Sequence, residues 1–229
     1  MSKNLKPQIH IYFPEASNRG RKIDLCEHFY IKYSFQRKIT KAKIVPYAED
    51  NEEDFEKAIK AKSKKNSIFK NDLFFIVLDT DIKPNRENVG VVITQISALN
   101  RKYRDAKIIL SGRSFEVWLC MYGRQQYNTP FSDQDKLNSD VLGINRYEKK
   151  EIWYRQNADR LYDDYLTAKD ASILSKQNVY QSTPMPPPSG YDLVRENPDF
   201  SNHSVVSYLV NATPFTYFEQ LIAVLTSYE

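Results

Sequence analysis

Phe74-Phe75-Ile76-Val77-Leu78-Asp79-Thr80-Asp81 decides how this 229-residue chain reads. An unbroken apolar run flanked by polar sequence predicts a strand buried on both faces of a parallel sheet. Asp79 and Asp81 then fall at its carboxyl end, where open α/β sheets place their ligand sites. Residues two apart along an extended chain point the same way, so both carboxylates aim at one region. Like charges held together repel and titrate apart unless a cation neutralises them. Mg²⁺ (or Mn²⁺) is the simplest resident of such a pair. Taken alone, an Asp-x-Asp at a strand end also suits a turn or a helix cap.

Working outward, the chain alternates. Gln8 to Phe13 reads as a strand, with Glu15 following it after Pro14. A polar turn carries Arg19, Arg21 and Lys22. Ile23 to Tyr33 reads as an amphipathic helix, with Ile23, Cys26, Phe29 and Tyr30 on its apolar stripe, and Ala42 to Tyr47 as a second strand. Asn51 to Lys64 is a charged helix, acidic in front and basic behind, as the helix dipole prefers. After the strand from Leu73 to Leu78 comes a helix over 89–103. Ala106 to Ser111 is a fourth strand, followed by Gly112-Arg113 and a helix from Ser114 to Met121. This order implies a parallel sheet with right-handed crossovers and helices on its flanks.

Beyond residue 125 the character changes. The sequence predicts a domain over 8–125 and a mainly helical extension over 126–229, with a long helix from Arg146 to Leu174. Thr183 to Gly190, rich in proline over 184–190, can be neither helix nor central strand. Thr213-Pro214 opens a last apolar helix that runs to Tyr228. The many aromatic residues here suit packing against the sheet or a homodimer surface.

Composition narrows the classes. No segment approaches the roughly 18 consecutive apolar residues of a membrane span, and the apolar run after the basic start is too short for a signal peptide. The two cysteines, Cys26 and Cys120, form no CxxC pair and read as reduced thiols of a cytoplasmic protein. The three histidines are too scattered for a zinc site. A net charge of +4 permits a polyanionic partner without demanding one.

Glu15 after the first strand and Asp79 with Asp81 after the third come together if those strands are close. A glutamate beside an Asp-x-Asp pair is the arrangement of the toprim domain, and the chain resembles that domain from about residue 8 to residue 122. Ile109-Leu110-Ser111-Gly112-Arg113-Ser114-Phe115-Glu116-Val117-Trp118-Leu119 is similar to a segment of RloB-like proteins, small toprim proteins of bacterial restriction and phage-defence loci. The chain departs from that pattern where Ala16 follows Glu15, where Ile82-Lys83 follows Asp81, and where Tyr122-Gly123-Arg124 follows the tryptophan helix.

The resemblance implies a Rossmann-like toprim fold and a metal-dependent nuclease, a phosphodiesterase acting on nucleic acid with RNA, including transfer RNA, favoured. It implies Mg²⁺ on Glu15, Asp79 and Asp81, with Glu15 either binding a second ion or relaying a proton. Arg113 would hold a phosphate oxygen with help from a helix N-terminus, Ser111 would assist through its hydroxyl, and Arg19, Arg21 and Lys22 would grip the flanking backbone. Glu116 is either a ligand or the i,i+3 partner of Arg113. An ATPase partner protein is implied by resemblance alone. An inactive toprim module that binds nucleic acid or a protein partner is the alternative. Phe115 and Trp118 suit core packing better than base stacking, and the Lys60 to Lys70 cluster suits a solvated face.

Overall fold

A computed structural model describes residues 6–16, 23, 25–64, 69–82, 86–123, 147–212 and 214–229. Strands β1 (Gln8–Phe13), β2 (Lys43–Ala48), β3 (Leu73–Asp79) and β4 (Lys107–Gly112) lie parallel in the order β2-β1-β3-β4. A short fifth strand, β5 (Phe215–Thr216), pairs antiparallel with β4 and completes a mixed, mostly parallel sheet. The α/β fold expected from the alternating pattern is present. In register, Ile9 faces Leu73 and Asp79 faces Ser111.

Alternation along β3 explains why both sheet faces are covered. Phe75 and Val77 enter one apolar layer with α1 (Cys26–Tyr30), α4 (Glu116–Cys120) and α9 (Phe218–Thr226). Phe74, Ile76 and Leu78 enter the other with α2 (Glu52–Lys62), α3 (Val89–Lys102) and α8 (His203–Asn211). A strand that feeds two layers needs apolar residues at every position, which is why its sequence is unbroken rather than alternating. In α2 the acidic residues stand in the first turn and Lys60 and Lys62 in the last, as expected.

Several elements differ from their expected form. The helix after β1 begins at Cys26 and continues as a π-helical turn, Ile31–Phe35. The long helix expected from Arg146 is divided into α5 (Glu151–Gln156), α6 (Ala158–Asp163) and α7 (Tyr165–Ser182); Arg146 itself lies outside the described residues. Asn157 marks the first break: its side-chain amide and its backbone N–H both donate to the Trp153 carbonyl, at 2.8 and 3.1 Å. That local side-chain bond competes with continuation of the helix. Helix α8 was not expected; the Asn202 side chain opens it by accepting from the Ser204 and Val205 amides at 2.9 and 3.4 Å.

Instead of opening a helix at once, the segment after Pro214 first joins the sheet as β5, while Thr213 lies outside the described residues. The approach is close enough that a side chain at Gly112 would meet the Phe215 ring at 2.4 Å, so glycine is required there. Both apolar layers mix residues from before 125 with residues from after 147, so the C-terminal third shares the core of the sheet. The segment around 184–190 forms neither helix nor strand. Both cysteines are free thiols. Among the described residues no helix is long and apolar enough to cross a membrane.

Candidate functional site

Strands β1 and β3 are neighbours, yet the chain leaves β1 toward β2 on one side and leaves β3 toward β4 on the other. Two such loops diverge and open a crevice at the carboxyl ends of the strands. Glu15 stands on the β1 side, in a turn closed by the Ala16 amide on the Phe13 carbonyl at 3.2 Å. Asp79 ends β3, and Asp81 follows it.

The β3 and β4 loops are tied to each other at this edge. The Thr80 amide donates to the Ser111 carbonyl at 2.9 Å, and the Asp81 amide donates to the Arg113 carbonyl at 2.9 Å. The Arg113 amide donates to Thr80 Oγ1 at 2.7 Å. Asp81 and Arg113 have φ values of 42° and 97°, both left-handed. For a non-glycine residue such a backbone costs on the order of 1–3 kcal/mol, and it persists only where surrounding bonds over-determine it. These three bonds do so, and they fix where the Asp79 and Asp81 side chains start.

A residue that sequence reasoning missed completes the cluster. Glu27 of α1 is 5 % exposed, and its carboxyl contacts that of Asp79. Asp79 Oδ2 accepts the Phe115 amide at 2.9 Å, whereas Oδ1 is buried and receives no N–H donor. Two buried carboxyl groups in contact are compatible only with a proton or a cation between them. Burial, then the charges of Glu27 and Glu15, hold Asp79 well above the usual carboxylate range. Burial and the charge of Glu116 push Glu27 up to about 8. Glu15 keeps an exposed flank, but protein crowding around its carboxyl and the charge of Asp81 push it up to about 7. Asp81 is also exposed on one flank, yet protein crowding around its carboxyl raises it, against the pull of Lys149.

Lys149 is the cation the protein itself supplies. Its Nζ stands 2.7 Å from Glu116 Oε1, and its charge reaches Asp79 and Asp81. Burial would lower this ammonium, but the bond to Glu116 and the surrounding acids raise it. Glu116 is 3 % exposed; burial would raise its carboxyl, and the Lys149 ion pair outweighs that and lowers it. Tyr147 also donates to Glu116, at 3.0 Å.

The structure thus brings Glu15, Asp79, Asp81 and Glu116 into one electrostatic neighbourhood, joined by Glu27 and Lys149. Glu116 pairs with Lys149, not with Arg113, because α4 begins only at Glu116 and the i,i+3 spacing does not apply. The amide that opens this short helix is engaged by Asp79, so the expected phosphate cradle for Arg113 at a helix N-terminus is not formed. Among the described residues the Arg113 guanidinium, half-buried, has no ion-pair partner. Ser111 departs from its expected role: it is buried, and its hydroxyl is shared with Thr216 Oγ1 at 3.1 Å across β4 and β5. Arg19, Arg21 and Lys22 lie outside the described residues. Phe115 and Trp118 pack in the core against Tyr30 and Phe218, so no base-stacking face is free.

The signal for Glu27 was present in the sequence. It occupies the helical position between Ile23 and Ile31, four residues from each, so a charge sits on the apolar stripe. Lys149 lies far along the chain with no local signature.

The donor set suits a hard divalent cation: carboxylate oxygens, one of them buried and without a donor. Among the described residues, no three His, Cys, Asp or Glu side chains already form a closed coordination group. The acids are therefore electrostatic neighbours held by a proton and a lysine rather than by a preformed cage. Compared with protein-family models, with curated proteins and with solved structures, the chain matches none.

Proposed function

We propose that the chain is a toprim-type, metal-dependent nuclease that cleaves a phosphodiester of nucleic acid, with RNA the favoured substrate. The observation that carries this reading is the electrostatic coupling of Glu15, Glu27, Asp79 and Asp81 at the β1/β3 crevice, with Asp79 Oδ1 buried and without an N–H donor. Asp79, Asp81 and Glu15 would hold Mg²⁺ or Mn²⁺, with Glu27 as a further donor. When bound, the ion would polarise the phosphodiester and stabilise charge on its oxygens.

The remaining chemistry belongs to side chains. Glu15, raised to about 7 in the metal-free site, would take a proton from an attacking water or return one to a leaving oxygen where it is not itself a ligand of the ion. Lys149 stands beside the acids and the half-buried Arg113 follows β4 at the same edge, and both would bring positive charge to non-bridging phosphate oxygens. Thr80 and the strained Arg113 backbone keep the two aspartates in register. On the same reading the chain acts as an effector in bacterial phage defence, alongside an ATPase partner.

One observation favours the alternative of an inactive binding module: Lys149 already supplies a counter-charge to the acids. The two readings separate when the full chain is incubated with RNA and DNA in Mg²⁺, Mn²⁺ or EDTA. A nuclease cuts with metal, stops in EDTA and loses activity in Asp79→Ala. Retained nucleic-acid binding with no cleavage in either metal would sink the nuclease reading.

A further inference from the structure

A groove of about 830 Å³ lies on the outer flank of α3, away from the carboxylates, between that helix and the turn that leads into α8. The volume falls within the roughly 300–1,000 Å³ of small-molecule sites. Its floor is Phe200, with Ile93 and Ala98 beside it, and its rim carries Arg101, Arg104 and His203.

The charge balance is uneven for a structural reason. Lys102, between the arginines in sequence, turns to the other side of α3 and pairs with Glu52 and Glu56 at 3.0 and 2.7 Å. Among the described residues Arg101 and Arg104 have no ion-pair partner, and both are exposed. Among the described residues one acid lines the groove, Asp199; it stays ionised, with the Ser201 amide and hydroxyl donating to Oδ1 at 2.9 and 2.6 Å and Tyr191 donating at 3.4 Å, so two guanidinium charges face one carboxylate. The opening amides of α8 at Ser204 and Val205 are taken by Asn202, so the helix end is not what makes the site.

We infer that this groove is a second binding site, for a phosphate ester of nucleotide size. Two unpaired guanidinium forks suit phosphate oxygens, and an apolar floor with an aromatic ring suits a planar base. Arg101 lies about 18 Å along α3 from Val89, at 1.5 Å per residue. The helix begins beside Asp81, whose carbonyl accepts the Asn88 side-chain amide at 2.9 Å, so the two arginines and the carboxylates sit at opposite ends of one helix. The inference is independent of the nuclease reading.

Equilibrium dialysis of the full chain in EDTA tests it, with AMP, ATP, adenosine and a single-stranded oligonucleotide as probes. AMP or ATP is expected to bind, adenosine is not, and the double variant R101A/R104A is expected to weaken nucleotide binding by at least about tenfold. Asp79→Asn is expected to bind nucleotide as the wild type does. Absence of nucleotide binding up to millimolar concentration, binding indifferent to the arginines, or retention of the oligonucleotide alone would each overturn the inference.

Discussion

Glu27 of α1 and Asp79 at the end of β3 place two buried carboxyl groups in contact, although they stand 52 positions apart along the chain. The fold gains little from such a contact at neutral pH. The packing of α1 against the sheet holds the two side chains there.

The first expectation concerns pH. Both groups are raised on folding, Glu27 up to about 8. A carboxyl raised in the folded state stabilises the fold at acid pH, and that contribution is lost as pH rises through its folded value. Asp79→Asn or Glu27→Gln is therefore expected to be more stable than the wild type above about pH 8, by on the order of 1–2 kcal/mol or about 2–8 °C in Tm. Thermal melts in EDTA across the pH range check this. Variants that melt below the wild type at alkaline pH would show that the contact is a net stabiliser.

Lys149 offers a second test. Its ammonium is half-exposed while Glu116 is buried, so the pair is worth less than a fully buried one. Lys149→Met is expected to cost about 1–2 kcal/mol in urea unfolding by leaving Glu116 without its cation. Because one positive charge is removed from beside Asp79 and Asp81, divalent-cation affinity is expected to rise roughly tenfold. Weaker cation binding in this variant would mean that Lys149 orders the acids instead of competing for them.

The buried pair Lys176 and Glu219 binds α7 to α9 at 2.6 Å, with Lys176 also donating to the Thr216 carbonyl at 2.8 Å. Burial lowers the Lys176 ammonium, and the Glu219 charge works against that. Lys176→Met leaves a buried carboxylate unpaired and is expected to destabilise by about 3–5 kcal/mol. The double variant K176M/E219L is expected to recover most of that loss. A double variant as unstable as the single one would place the cost in packing.

His10 gives an acid-side expectation. It is buried between Tyr47, at 2.8 Å from Nδ1, and Asp72, at 3.3 Å from Nε2. Burial lowers its pKa despite the Asp72 bond. A histidine lowered on folding contributes stability that is present above its unfolded value, near 6.5, and lost as pH falls toward the folded value. Wild-type stability is expected to decline below about pH 6.5, and His10→Gln to decline less. Identical slopes would remove His10 from the acid response.

Much of this was legible in the sequence because it depends on local pattern. The apolar run at 74–78 reads as a strand feeding two layers, and the place of Asp79 and Asp81 at its carboxyl end follows from its direction. The closeness of β1 and β3 is what successive strand–helix units in a small doubly wound sheet produce. Glu27 left a trace, a charge on the apolar stripe of its helix, but the carboxylate it meets depends on how α1 packs on the sheet. Ser111 read as a catalytic hydroxyl because β5, only two residues long, leaves no periodic trace; its pairing with Thr216 is a long-range fact. Lys149 depends on a return of the chain that no local pattern specifies.

Mn²⁺ binding followed by electron paramagnetic resonance tests the central claim most directly, since it reads occupancy of the carboxylate site without requiring turnover. The wild type is expected to bind Mn²⁺ with a Kd of about 1 mM or tighter, releasing a proton from the Glu27–Asp79 contact, with affinity falling at least about tenfold in both Asp79→Asn and Asp81→Asn. Equal Mn²⁺ binding by wild type and both variants, or none by the wild type, would contradict the claim that these acids form a cation site.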